Sequence, residues 1–178
     1  MGKPVRRVVV VMGVSGAGKT TVGRLLAEEL GVPYGEADDF HPRANIAKMS
    51  AGVPLDDDDR APWLDVIAAW AREHTDTGGV VSCSALKRRY RDRLRAMAPG
   101  LVFVHLRGGR EVIARRLAVR KGHFMPSALL DSQLAALEPL GDDEDGIIAE
   151  IVADPRTIAR QVAQKLRAGD THRVRSTK

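Results

Sequence analysis

The sequence predicts an α/β fold in three layers, a parallel five-stranded sheet with helices on both faces. Three observations predict it. Apolar β-branched runs alternate with segments of helical periodicity along the 178 residues, the pattern of successive strand–helix–strand units. The first run breaks into Gly13-Val14-Ser15-Gly16-Ala17-Gly18-Lys19-Thr20, which fills every fixed position of GxxxxGK[ST], a phosphate-binding turn between a strand and a helix. Aromatic residues make up only 4% and charged residues 29%, so the core is aliphatic and the chain is neither fibrous nor disordered.

The first strand covers Val5–Met12, a continuous run of the kind buried on both faces. A helix over Lys19–Leu30 follows, with Val22, Leu25, Leu26 and Leu30 on its apolar face and Gly31 as its stop. A short strand is expected near Val32–Gly35, then helices at Ala44–Met49 and Ala61–Glu73. Strands at Val80–Ser84, Leu101–Leu106 and Ile147–Val152 alternate with helices at Lys87–Met97, Glu111–Ala118, Ser127–Leu137 and Pro155–Leu166. Pro62 and Pro155 stand near helix starts, where a missing N–H costs nothing. The irregular stretches Asp38–Arg43, Gly52–Arg60 and Val119–Pro126 are rich in charge. With no repeat, low-complexity tract or linker, residues 1–178 read as one domain. Within it, a substrate-binding insert is expected at 38–75, a mobile lid at 116–130 and a flexible basic tail at 168–178.

Composition excludes several classes. No apolar run approaches the roughly 18 residues of a membrane span, and MGKPVRR leads into a core strand rather than a cleavable signal. Arg6 stands where a myristoylation pattern wants serine or threonine. Cys83 is the one cysteine, so no internal disulfide forms, which fits a reducing cytoplasm. The net charge of +5 owes much to Lys165, Arg167, Arg173, Arg175 and Lys178. Few aromatics interleave the basic residues, so this end reads as solvated rather than as a nucleic-acid platform. No nucleic-acid or membrane partner is expected.

The loop says that a nucleotide is held. Its N–H groups and the following helix end converge on phosphates, Lys19 adds a mobile charge, and Thr20 offers a hydroxyl to a magnesium ion. Gly13, Val14, Ser15, Gly16, Ala17, Gly18, Lys19, Thr20 and Thr21 are the expected contacts. A GTPase reading lacks an Asn-Lys-x-Asp guanine reader, and Asp76-Thr77-Gly78-Gly79 reads as a turn. A motor ATPase reading lacks a strand ending in an acid, because the third run ends Val81-Ser82-Cys83-Ser84. Another carboxylate must therefore serve, and Asp38 and Asp39, just past the second strand, are the candidates. The arginine-rich stretch from Arg115 to Pro126 fits a lid that closes over a triphosphate, excluding water and neutralising developing charge. These features point to a small-molecule kinase.

Three segments narrow this further: DDFHPRANIAKMSAGVPLDDDDRAPWL (38–64), SCSALKRRYRDRLR (82–95) and RKGHFMPSALLDSQLAALEPL (120–140). With GVSGAGKTT before them, the chain resembles the small, thermoresistant-type cytoplasmic gluconate kinases over about nine tenths of its length. The resemblance implies a nucleoside-monophosphate-kinase-like fold. It also implies transfer of the γ-phosphoryl of ATP to the 6-hydroxyl of D-gluconate, dependence on Mg2+, and a homodimer. Catalysis is expected from Asp38, Lys19 and Arg120, metal binding from Thr20 and Asp38, and further nucleotide contacts from Arg116, Arg120, Asp154 and Pro155. Expected substrate contacts are Asp38, His41, Arg43, Lys48, Asp59, Arg60, Ser84, Lys87 and His123. Gluconate carries a carboxylate and several hydroxyls, and Arg60 offers a planar fork matched to the former. Most of the Asp56–Asp59 run is expected to be solvated. Trp63 reads as core beneath the substrate loop and Cys83 as packing. Family members commonly show Asp-Gly-Asp or Gly-Asp where this chain has Gly35-Glu36-Ala37-Asp38-Asp39; counting back from His41 selects Asp38. The competing readings are a kinase for another small polyol acid, shikimate-like or a different aldonate, and a nucleotide-sensing regulator that binds nucleic acid.

Overall fold

A computed structural model describes residues 4–120 and 127–171. Its strands are β1 (Val8–Met12), β2 (Tyr34–Glu36), β3 (Gly79–Ser82), β4 (Val102–Arg107) and β5 (Gly146–Glu150), and they form one parallel sheet in the order β2-β3-β1-β4-β5. The helices are α1 (Lys19–Leu30), α2 (Arg43–Ser50), α3 (Asp57–Glu73), α4 (Arg88–Met97), α5 (Arg110–Ala118), α6 (Ser127–Ala136) and α7 (Pro155–Ala168).

β1 lies in the middle, with Val10 beside Val81 of β3 and Phe103 of β4. Side-chain alternation along it sorts the core into two layers. Val9 and Val11 pack with Val22, Leu26, Ile158, Val162 and Leu166 of α1 and α7. Val8, Val10 and Met12 pack with Trp63, Leu64, Ile67, Tyr90 and Leu94 of α3 and α4. A strand buried on both faces must be apolar at every position, which is why VVVVM runs without a break. The order reverses around β1, and in such sheets ligands bind outside the carboxyl ends of the strands. There the Gly13 N–H donates to the Ser84 carbonyl at 3.3 Å, tying the phosphate loop to the turn after β3.

Two boundaries differ from expectation in ways that shape the site. β2 extends through Glu36, which puts a carboxylate at the strand end, and a one-turn 3-10 helix follows over Ala37–Phe40. α3 begins at Asp57, not Ala61, because Asp56 caps it. The Asp56 carboxylate accepts from the Asp59 N–H at 2.8 Å and that of Asp59 accepts from the Asp56 N–H at 3.0 Å, a reciprocal capping box. Asp57, Asp58 and Asp59 in the first turn favour its positive end. Pro62 therefore lies inside the helix, where it removes the N–H that would reach the Asp58 carbonyl. Residues 121–126 of the expected lid, His123 among them, and the tail from 172 onward lie outside the described residues. No helix among the described residues is long and apolar enough to cross a membrane.

Candidate active site

The phosphate loop curls because Gly16 and Gly18 take φ of +84° and +95°, angles that glycine adopts without penalty. A Cβ at Gly16 would also come within 2.7 Å of Leu117 Cγ on α5. α1 starts directly after Gly18 with no side-chain cap, so its first N–H groups remain for an anion. Lys19 Nζ donates to the Val14 carbonyl at 3.1 Å. Burial pushes its ammonium below the usual pKa; the charges of Asp38 and Glu36 oppose this and that of Arg120 adds to it. Thr21 is exposed on the first turn of α1.

Thr20 Oγ1 donates to Glu36 Oε2 at 2.7 Å, and the Tyr34 hydroxyl reaches the same oxygen at 2.7 Å. Burial pushes Tyr34 up to about 12, so its proton stays in place. A hydroxyl and a carboxylate meeting beside a phosphate loop form a hard-oxygen donor set that fits magnesium. Glu36, which the sequence reading did not single out, is the acid that meets Thr20.

Arg116 Nη2 donates to the Ile151 carbonyl at 2.7 Å, while its Nη1 lies 3.6 Å from where a Gly18 Cβ would stand. It thus spans from the phosphate loop to the β5–α7 junction. There the Asp154 carboxylate accepts from the Thr157 N–H at 3.0 Å, and Pro155 opens α7. Arg120 is exposed just past α5.

Across the crevice, Asp38 and Asp39 are both exposed on the 3-10 turn. Asp38 lies on the turn that leads from β2 to His41, and its charge acts to raise the pKa of both Lys19 and His41. His41 stacks on Trp63, with ring centroids 4.4 Å apart and planes 10° from parallel. Burial lowers the His41 pKa, opposed by Asp38 and reinforced by Arg60. Trp63 is buried and its Nε1 donates to the Ala37 carbonyl at 2.7 Å, so it supports the turn from beneath. Lys48 and Asp59 meet each other, with Nζ 2.8 Å from both carboxylate oxygens. Arg43 is exposed at the start of α2.

Arg60 and Lys87 converge on the ring of Tyr90, at 5.8 Å and 5.7 Å from its centroid, and Arg89 joins them at 5.6 Å. Tyr90 donates its hydroxyl to the Asp57 carboxylate, which also pairs with Arg89. Asp56 and Asp58 are exposed, as expected for most of the Asp56–Asp59 run, but three of the four side chains also make intramolecular bonds. Asp56 caps, Asp57 holds Tyr90, and Asp59 holds Lys48, because helix α3 starts within the run and places its carboxylates against α2 and α4.

Ser84 is half-buried beside the loop, and the next residue, Ala85, holds φ at +42°, an angle that costs a residue bearing a Cβ. The fully buried Arg91 reaches its backbone, donating to the Ala85 carbonyl at 2.9 Å and to Leu86 at 3.3 Å. The same guanidinium makes two bonds to Glu144, at 2.8 and 3.0 Å. Burial would raise the Glu144 pKa, but hydrogen bonds from Arg91, the Gly141 N–H and Arg95 outweigh it and bring the group down to about 2. Cys83 is buried and its thiol is pushed up to about 12 by that burial, so it is an inert packing group.

A family model described as shikimate kinase matches residues 15–167. The gluconokinase of Gluconobacter oxydans (strain 621H) is 48% identical over 92% of this chain and 93% of its own. The thermoresistant gluconokinase of Escherichia coli (strain K12) is 43% identical over 83% of this chain and 86% of its own. The crystal structure of a gluconokinase from Sinorhizobium meliloti 1021 superposes with a TM-score of 0.82 at 47% identity, covering 92% of this chain and 93% of that one. The chain belongs to the gluconokinase family. The shikimate-kinase match describes the broader fold, and identities above 40% assign the gluconokinase branch within it. Two residues of this gluconokinase-family site escaped the sequence reading. Glu36 carried a usable signal, an acid two positions before Asp38 in a chain whose Thr20 lacks the usual strand-end acid. Tyr90 carried none, because its significance comes from cations gathered from α3 and α4.

Proposed function

We propose that this chain is an ATP-dependent gluconokinase, transferring the γ-phosphoryl of ATP to the 6-hydroxyl of D-gluconate to give 6-phospho-D-gluconate and ADP. The observation that carries the reading is the identity of 48% and 43% to two gluconokinases over most of the chain; Asp38, on the turn between β2 and His41, supplies the carboxylate that the transfer needs. A carboxylate there can orient the acceptor hydroxyl and take its proton as the bond to phosphorus forms. Lys19 and the loop N–H groups hold the phosphates, and Arg116 and Arg120 neutralise charge on them. Thr20 with Glu36, and Asp38 nearby, would hold Mg2+, which supplies charge neutralisation between the phosphates.

Lys48 is held by Asp59 at 2.8 Å whereas Lys87 stands 3.9 Å from Asp57, so the gluconate carboxylate falls first to Arg60, with the loosely paired Lys87 beside it. The Leu55 carbonyl takes one Arg60 donor at 2.7 Å, and a guanidinium has five. His41, Ser84, Arg43 and His123 are left for the hydroxyls. The family resemblance supports a cytoplasmic homodimer working on free gluconate with no nucleic-acid or membrane partner. The test is ADP release across gluconate, other aldonates and shikimate. Gluconate should show the highest kcat/KM, and a better acceptor would overturn the assignment. Asp38→Asn should lower kcat by roughly 100-fold or more while ATP still binds; near-normal turnover would remove Asp38 from catalysis.

A further inference from the structure

Helix α6 reaches into the phosphate loop. The Ser15 N–H donates to Gln133 Oε1 at 2.8 Å, and Gln133 Nε2 donates to Ser15 Oγ at 3.2 Å. Chemistry settles the orientation of the amide: a backbone N–H only donates, so the oxygen must face it. The helix carrying Gln133 is anchored by the buried Leu130, by Leu134 packed on the core, and by an ion pair between Asp131 and Arg110 of α5. The contact therefore joins a docked helix to the loop across 118 residues of sequence.

The N–H groups of such a loop are the donors that hold phosphoryl oxygens, and Ser15 supplies one of them, so Gln133 Oε1 takes up a donor that a phosphoryl oxygen can claim. The position is at the outer-phosphate end. Lys19 Nζ, the charge that reaches the β- and γ-phosphates in this motif, lies on the carbonyl of Val14, one residue before Ser15. One N–H cannot make two short linear bonds, so a γ-phosphoryl oxygen arriving there displaces the amide oxygen. Rotation about the last side-chain bond then turns the NH2 group, a donor, toward the anion.

Resting on the reading of this site as one that transfers a phosphoryl group from ATP, we propose that Gln133 is a direct ligand of the transferring phosphoryl group, its amide yielding the Ser15 N–H to a γ-phosphoryl oxygen and donating its own N–H to that group. Two variants separate the elements of this role. Gln133→Leu removes donor and acceptor at similar size; Gln133→Glu keeps the acceptor, loses the donor and adds a negative charge. Binding of ADP and of a non-hydrolysable ATP analogue, each measured with Mg2+ and without any acceptor, is compared with kcat and with thermal melting. The analogue should bind about tenfold more weakly to Gln133→Leu and more weakly still to Gln133→Glu, with ADP within about twofold of the parent. Both variants should lose about tenfold or more in kcat, toward the range for removing one donor from a charged transition state. Equal losses for ADP and the analogue, or an unchanged kcat, overturn the proposal. The binding arm contains no acceptor, so it stands or falls independently of whether gluconate is the substrate.

Discussion

Glu36 and Asp38 stand two residues apart, and the charges of both act on Lys19. Glu36 ends β2 and accepts from Thr20, whereas Asp38 sits on the 3-10 turn and acts on Lys19 and His41. Glu36→Gln keeps the shape and hydrogen-bonding capacity but loses the charge. The Mg2+ concentration for half-maximal activity should rise by roughly tenfold or more, with much of kcat recovered at saturating Mg2+. An unchanged Mg2+ titration would separate Glu36 from the metal. The need for an acid was legible from the Val81-Ser82-Cys83-Ser84 strand end. Which acid meets Thr20 was not, because it depends on where β2 stops.

At the scale of elements, α3 is the clearest case of local sequence acting through tertiary placement. The Asp56–Asp59 run carries its own start signal, but a capping box is usually sought with glutamate at the third position, and Pro62 suggested a later start. The cap does more than begin a helix. By setting the phase of α3 it directs Asp57 to Tyr90 and Arg60 toward the same ring. Asp56→Ala should cost about 1 kcal/mol of stability, read from chemical denaturation. It should also raise KM for gluconate more than KM for ATP, since the first turn of α3 carries Arg60 and the partners of Lys48 and Tyr90; equal changes in both would limit the cap to stability. α1 was legible to the residue and α7 to within two, while β1 ends where expected at Met12 but starts three residues later, at Val8; a doubly buried strand and amphipathic helices write their burial into their periodicity.

Across the whole molecule, the buried Arg91–Glu144 pair joins α4 to the loop before β5 and holds the turn that follows Ser84. Its sign with pH follows from Glu144, whose carboxyl stands at about 2 in the fold against 4.5 ordinarily. A depressed carboxylate contributes stability that is complete above the ordinary value and is lost as pH falls toward the folded one. Melting temperature should therefore drop steeply between about pH 4.5 and pH 2. Glu144→Gln should be less stable at neutral pH, since it leaves Arg91 buried without its counter-charge, and should lose less across that acid interval. Parallel loss in both proteins would place the acid sensitivity elsewhere. The parallel sheet, the phosphate loop and the family were readable from the order of residues, because strand burial, glycine conformation and a long ordered set of motif residues are all local or linear properties. Folding was needed to bring Glu36 to Thr20, Lys48 to Asp59, Arg60 and Lys87 to the ring of Tyr90, and Gln133 to Ser15. Each of those depends on which charges face one another across separate elements, and pairing in space is not encoded by distance along the chain.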